Sequence, residues 1–488
     1  MNFSTPEKMG IRSENILNYI KKLEDARLAM HDIIIMRHDE IVCEAYWKPF
    51  HKDFLHRMYS VTKSFVALAI GFLEQDGIIN LDDPISKYFS EELKSQPDKN
   101  MHNQTIRHML MMSTAKLERN WFEARCDDRV KFYFENDIKE SRPSGTIYQY
   151  DSAGSFVLGV LVERITKKTL IEYLREKLFC KIGVSDTPYM LKCPGGHSWS
   201  DSSLICTPRD LLLVAKFVMN KGKWNGEQIL NEKFLTDATS HLMDNSSVND
   251  YQFESQGYGY LIWQTYDNSF CFDGMGNQLA VCVPDKDIVF ICNADNQGKT
   301  YSYQFIVENL FDMVIRPAEE KELPENDVAY KELEEYISNL TLSVAIGKDT
   351  SPFADKINGK TYILNENPMG IEKIRFELDG NKGIFYYTNA QGDKELPFGI
   401  GENAFSKFPQ DGYSDEIGSQ KGNKRYDCAT SAAWTDDKTL LLKVQIIDKY
   451  FGNLHMHFGF KNNEVGIYMT KSAEDFLNEY QGYAGGKF

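Results

Sequence analysis

Ser60 and Lys63 stand three positions apart in "YSVTKSF", immediately ahead of an apolar run from Phe65 to Leu73. Positions i and i+3 share one face of a helix, so a helix beginning near Ser60 would bring hydroxyl and amine within mutual reach. The run is apolar on every side, which puts that helix in the interior. Desolvation and the positive end of the helix then both favour a neutral lysine. A neutral amine can take the serine proton, and the free N–H groups of the same turn can hold the oxyanion of an acylated serine. The competing reading makes Ser60 a helix cap and lets Lys63 reach outward to water. Ser-x-x-Lys recurs by chance on the order of a couple of times in a chain of this length, so this stretch alone leaves both readings open.

The elements on either side must position the pair. Before it, Ile16, Leu17, Ile20, Leu23 and Leu28 follow a helical period after a cap at Ser13. Ile33 to Met36 and Ile41 to Tyr46 then flank a polar turn, Arg37 to Glu40, as an antiparallel hairpin. From Ser60 to about residue 250 the pattern is mostly helical. Its clearest start is "TPRDLLLVAKF", where Thr207 and Asp210 form a capping box around Pro208 at the first helical position. Strand signals return in "FCFDG", Leu279 to Val283 and Ile288 to Cys292, and "YSYQFIVENLFDMVI" reads as a closing helix. Helix and hairpin at the start, hairpin and helix at the end, predict an α+β fold: one antiparallel sheet with flanking helices and a helical insertion.

The charged, proline-containing stretch "RPAEEKELPEND" suggests a break, giving a first domain over 1–318, a linker over 319–334 and a second domain over 335–488. In the second, "TLLLKVQII" and "NLHMHFGF" alternate apolar and polar residues. That pattern predicts a C-terminal all-β domain, a lipocalin-like barrel or a sandwich. It is silent on whether this domain covers a cleft, offers a homodimer surface or binds a polymer.

The totals narrow the function. The 488 residues carry 55 Lys plus Arg against 71 Asp plus Glu, a formal charge of −16 that repels phosphate backbones and argues against nucleic acid as a partner. The longest apolar run falls far short of the roughly 18 residues of a membrane span, and no secretory signal is visible at the start. A cytoplasmic location is expected. Nine scattered cysteines without a C-x-x-C pair favour free, buried thiols over disulfides or zinc.

Other features have ordinary readings. His455 and His457 share a strand face at a spacing that some metal sites use, but without a third ligand in view they read as a solvated face. The loop "GGHSWSDSS" could border a substrate entrance with His197 and Trp199, and Asp82 with Asp83 reads as a turn. No Gly-x-Ser-x-Gly elbow surrounds Ser60, and no phosphate loop follows a strand.

"MYSVTKSFVALAIGFLEQDGIINLDDPISKYF" resembles the first motif region of the serine β-lactamase and penicillin-binding-protein superfamily, particularly its class C and family VIII esterase branch. The likeness continues in order through "TIRHMLMMST", "PSGTIYQYDSAGSFVLGVLVERITKKTL", "DLLLVAKFVMNKGKWNGEQIL" and "YGYLIWQ", over about residues 10 to 315. It implies a β-lactamase/transpeptidase-like fold in which Ser60 is the nucleophile, Lys63 its base and Tyr150 a proton relay. Ser152 stands where that branch carries Asn, exchanging an amide for a single hydroxyl. The third motif, Lys or His followed by any residue and Gly, aligns with Phe272-Asp273-Gly274, which would make the Met275 N–H the second oxyanion donor beside that of Ser60. Phe272 removes a cation worth about 1.5–3 kcal/mol to a substrate carboxylate. The resemblance therefore implies a serine hydrolase acting through an acyl-enzyme on an ester or amide of a small molecule or peptide, D-amino-acid peptides included, with no metal or organic cofactor. Its alternatives are a weak β-lactamase or D,D-peptidase, and a non-catalytic ligand binder or sensor.

Overall fold

Ile16, Leu17, Ile20 and Leu23 are buried on one face of helix α1, Ser13–Asp25. Its start departs from the expected serine cap. Arg12 holds the cap position without a side-chain bond, and the Glu7 carboxylate accepts both the Ser13 N–H at 2.8 Å and the Ser13 hydroxyl at 2.9 Å. A carboxylate suits the positive end of a helix. The computed structural model describes all residues except 95–97, 118–119, 136–140, 249–250 and 418–421.

The chain divides into two compact units. In the first, strands β1 (Asn2–Phe3), β2 (Met30–Arg37), β3 (Glu40–Tyr46), β4 (Trp263–Gln264), β5 (Phe270–Gly274), β6 (Gln278–Val283) and β7 (Ile288–Ala294) form one sheet in the order β1-β3-β2-β7-β6-β5-β4. Every pairing is antiparallel except β1 with β3. Ile34 opposite Ile291 joins the N-terminal hairpin to the C-terminal strands, so the helical segment is an insertion into one sheet. Both faces are covered. Tyr19 of α1 packs edge-on against Phe290 at 6.1 Å, and on the other face the Cys282 thiol approaches the Ala215 carbonyl in the helix over Pro208–Met219.

Three helices of the insertion carry or flank the chemistry-bearing residues: α2 (Thr62–Gln75), α3 (Ser152–Thr166) and α4 (Pro208–Met219). The Thr207–Asp210 capping box with Pro208 is present as read. All residues of α2 from Thr62 to Leu73 are buried. At about 1.5–3 kcal/mol for each large apolar side chain removed from water, this helix is a rigid mount for whatever its first turn carries. After β7 come α5 (Ser302–Leu310) and α6 (Asp327–Ser338). The first unit runs on to Thr341 and so takes in the charged segment expected to be a linker, whose second half is helical from Asp327 under an Asn326 cap.

The second unit is a barrel. Strands β8 (Thr361–Leu364), β9 (Lys373–Asp379), β10 (Lys382–Asn389), β11 (Gly392–Ile400), β12 (Ala404–Lys407), β13 (Asp427–Trp434), β14 (Thr439–Ile447), β15 (Phe451–Lys461), β16 (Glu464–Ala473) and β17 (Gly482–Lys487) follow the order β11-β10-β9-β8-β17-β16-β15-β14-β13-β12. A parallel pairing of Gly399 and Ile400 with Ser431 and Ala432 closes the ring, which decides between the barrel and the sandwich. Leu440, Leu442, Val444, Leu454, Met456 and Phe458 turn inward as their alternation predicts. His455 and His457 share the opposite face, half-buried rather than solvated, and burial holds the His455 imidazole down at about 4.

The nine cysteines are free, and seven of them are buried. Among the described residues, no helix is long and apolar enough to cross a membrane.

Candidate active site

Ser60 does not open α2 itself. It lies in a 3₁₀ turn, Tyr59–Val61, directly before the helix. Tyr59 adopts φ +45°, a left-handed conformation that costs a residue with a Cβ about 1–2 kcal/mol. Lys63 is the second residue of α2, so the two still share one side of a continuous helical turn. Lys63 Nζ donates to Ser60 Oγ at 3.0 Å and to the Asp201 carbonyl at 2.7 Å. Lys63 is 1% exposed, and burial lowers its pKa to about 8 against the opposing pull of Asp201 and Asp151. The outward-reaching reading of Lys63 is thereby excluded.

Tyr150 ends the segment leading into α3. Its ring lies 5.0 Å from Lys63 Nζ and stacks on Trp263 with centroids 5.6 Å apart and planes at 20°. Burial pushes its phenol upward, and a hydrogen bond with Ser60 partly offsets this. Ser60, Lys63 and Tyr150, 90 residues apart at the extremes, therefore meet at one point. Asp151 caps α3 by accepting the Gly154 N–H at 2.9 Å. Ser152 is the half-buried first residue of the same helix.

The strand β5 approaches from the other side. A Cβ on Gly274 would fall 2.4 Å from the Met58 carbonyl and 3.2 Å from the Ser60 nitrogen, so only glycine lets strand and nucleophile turn come this close. Tyr303 Oη donates to the Gly274 carbonyl at 2.8 Å and anchors the turn after the strand. Among the described residues, neither the Ser60 nor the Met275 N–H donates to a carbonyl outside its own turn, which leaves both available to an oxyanion. Met275 is 36% exposed.

Phe272 does not belong with the substrate-binding residues. It is fully buried and shares the strand face of Phe270, whose cross-strand partner Cys282 packs toward α4. The period of two along β5 sends Asp273 to the opposite face. Its carboxyl is hydrogen-bonded to that of Glu254, and burial together with Glu254 pushes its pKa well up.

The loop with His197 and Trp199 is also placed differently. Trp199 is fully buried against Trp121 and Phe156, and His197 pairs with Glu163 at 2.8 Å. The loop contributes instead the main-chain carbonyl of Asp201 to Lys63, while Asp201 Oδ2 takes the Trp121 indole N–H at 2.6 Å. Asp201 and Trp263 escaped the sequence reading. A carbonyl ligand has no residue signature, and the Trp263 contact depends on strand register.

The assembled group can carry out acyl transfer: a hydroxyl on a buried amine of lowered basicity, a phenol in reach of both, and two main-chain N–H groups nearby. A family model described as Beta-lactamase matches residues 21–302. A 6-aminohexanoate-dimer hydrolase of Paenarthrobacter ureafaciens is 23% identical over 245 residues, which cover 47% of this chain and 62% of that relative, less than two thirds of its length. Among solved structures, a putative 6-aminohexanoate-dimer hydrolase from Bacillus anthracis has a TM-score of 0.52 at 20% identity, covering 63% of this chain and 83% of its own. EstCE1, a hydrolase with promiscuous acyltransferase activity, has a TM-score of 0.50 at 14% identity over 61% of this chain and 97% of its own. At these identities the structural likeness bears on fold.

Proposed function

The chain belongs to the β-lactamase family, and from that premise we propose that it is a serine hydrolase working through an acyl-enzyme on a carboxylic ester or amide. The observation that carries this reading is the 3.0 Å contact between Lys63 Nζ and Ser60 Oγ, made by an amine held near 8 by burial. In its neutral form Lys63 takes the Ser60 proton as Oγ attacks the substrate carbonyl. The Ser60 and Met275 N–H groups hold the resulting oxyanion, each donor of this kind contributing about 10²–10³ in rate. Tyr150, hydrogen-bonded to Ser60, passes a proton to the leaving group. In deacylation Tyr150 takes the proton of the attacking water and Lys63 returns its proton to Ser60 Oγ, which frees the acid and restores all three groups.

The acyl donor is constrained by the electrostatics of β5. Asp273, on the strand face opposite the buried Phe272, offers a carboxyl and no cation. Donors bearing a carboxylate beside the reacting bond, β-lactams among them, are disfavoured. Similarity to a 6-aminohexanoate-dimer hydrolase supports the hydrolase reading.

The test is parallel turnover of p-nitrophenyl butyrate and nitrocefin by the wild type and by Ser60→Ala. Wild-type turnover of the ester, lost in the variant and well above that of nitrocefin, is expected. Ester turnover that survives in Ser60→Ala refutes the mechanism, and efficient turnover of nitrocefin refutes the assigned acyl donor.

A further inference from the structure

The Gly274 carbonyl and the Met275 N–H belong to one peptide unit, which is planar and trans. Its oxygen and its hydrogen therefore point in opposite directions, and whatever holds the oxygen aims the N–H. Tyr303 holds it, donating from Oη to the Gly274 oxygen at 2.8 Å. The same Oη accepts the Asn277 N–H at 3.4 Å, so one phenol spans the turn from Gly274 to Asn277 and has its single proton to give to Gly274.

The turn needs such an anchor. Close approach of the Met58 carbonyl forces glycine at 274, and a residue without a Cβ leaves the peptide that follows it free to rotate. The next peptide is held separately: Gln278 Nε2 donates to the Met275 carbonyl at 2.8 Å and to the Ala294 carbonyl of β7 at 2.8 Å. Both carbonyls that flank Met275 thus end on side chains fixed elsewhere in the fold. Tyr303 is the second residue of α5, which buries Ile306, Val307 and Leu310, and its ring lies parallel to that of Phe253 at 6.2 Å and 14°. Burial pushes its phenol well above the usual range, so it stays protonated and donates.

We propose that Tyr303 is a positioning residue of the oxyanion site: it fixes the Gly274–Met275 peptide so that the Met275 N–H meets the oxyanion formed when Ser60 attacks. This rests on the reading of the chain as a serine hydrolase. Tyr303 acts through the peptide rather than on the substrate. Its hydrogen bond to the carbonyl also polarises the amide and strengthens the N–H at the other end, by about 10–30% for a bond in such a chain.

The test compares p-nitrophenyl butyrate with its thiono analogue, in which sulfur replaces the carbonyl oxygen. Sulfur is the larger and weaker acceptor, so well-aimed N–H groups favour the oxo ester and lose that preference when the aim is lost. With each rate normalised to the ester's own hydroxide-catalysed rate, the wild type is expected to favour the oxo ester by about tenfold or more, a readout that needs no variant. Tyr303→Phe should lower kcat for the oxo ester by about tenfold or more with KM little changed, and bring the oxo/thiono ratio toward parity while a fluorophosphonate still labels Ser60. Tyr303→p-aminophenylalanine keeps a donor and should retain the wild-type ratio; Tyr303→p-methylphenylalanine fills a similar volume without one and should not. A wild type without the oxo preference, or a ratio unchanged in the variants that lack a donor, whether both rates fall together or neither falls, overturns the positioning role while Ser60 labelling leaves the hydrolase reading standing. A wild type whose Ser60 is neither labelled nor needed for turnover removes both.

Discussion

Lys63 Nζ lies 3.0 Å from Ser60 Oγ with its remaining reach occupied by the Asp201 carbonyl at 2.7 Å. One side-chain hydroxyl and one main-chain carbonyl, both on ordered elements, hold the amine in the position from which it acts. The turn that leads into a helix buried from Thr62 to Leu73 supplies one, and a distant loop supplies the other.

Replacing Lys63 by Met should separate chemistry from folding. The side chains are similar in length, and an apolar one suits a site that is 1% exposed. Esterase kcat should fall by about 10²–10⁴, with the melting temperature unchanged or raised. Steady-state kinetics and thermal unfolding check this. An active Lys63→Met protein contradicts the assigned base.

The rate should rise with pH. Below about 8 Lys63 is protonated and cannot accept the Ser60 proton; above it the amine is neutral and the base is in place. The pH dependence of kcat/KM for p-nitrophenyl butyrate, corrected for hydroxide hydrolysis, should show an ascending limb with an apparent pKa near 8. That value belongs to the coupled Ser60–Lys63–Tyr150 network rather than to one group. A profile flat from about pH 6 to 9.5 contradicts this assignment.

Gly274→Ala should damage the site from the strand side. Its new Cβ would meet the Met58 carbonyl at 2.4 Å, and neither backbone can yield without moving the Ser60 turn or the Met275 N–H. The expected loss in kcat/KM is about 10²-fold or more, that of one oxyanion donor. Gly370→Ala is a control for backbone strain, since φ is positive at Gly370 but not at Gly274, and no atom lies within 4 Å of the Cβ added at Gly370. Equal activity of the Gly274→Ala and wild-type proteins rules out the close approach.

How much could be read from the letters depended on how local each relation is. Ser60 and Lys63 were legible because i and i+3 meet on any helix, and Tyr150 because its motif comes after theirs in order. Phe272 was misplaced because a strand reverses its side chains at every residue, and the motif does not state which face meets the cleft. Asp201 acts through a carbonyl that any residue could supply. The α+β sheet was implied by its two hairpins, while closure of the barrel depends on the parallel pairing of Gly399 and Ile400 with Ser431 and Ala432, which no local pattern announces.

Intact-mass spectrometry of the protein after exposure to a fluorophosphonate addresses the nucleophile itself. The account predicts one adduct per wild-type chain, mapped by peptide analysis to Ser60, and none on Ser60→Ala. A wild-type chain that takes up no adduct, or an adduct that persists undiminished in Ser60→Ala, contradicts it.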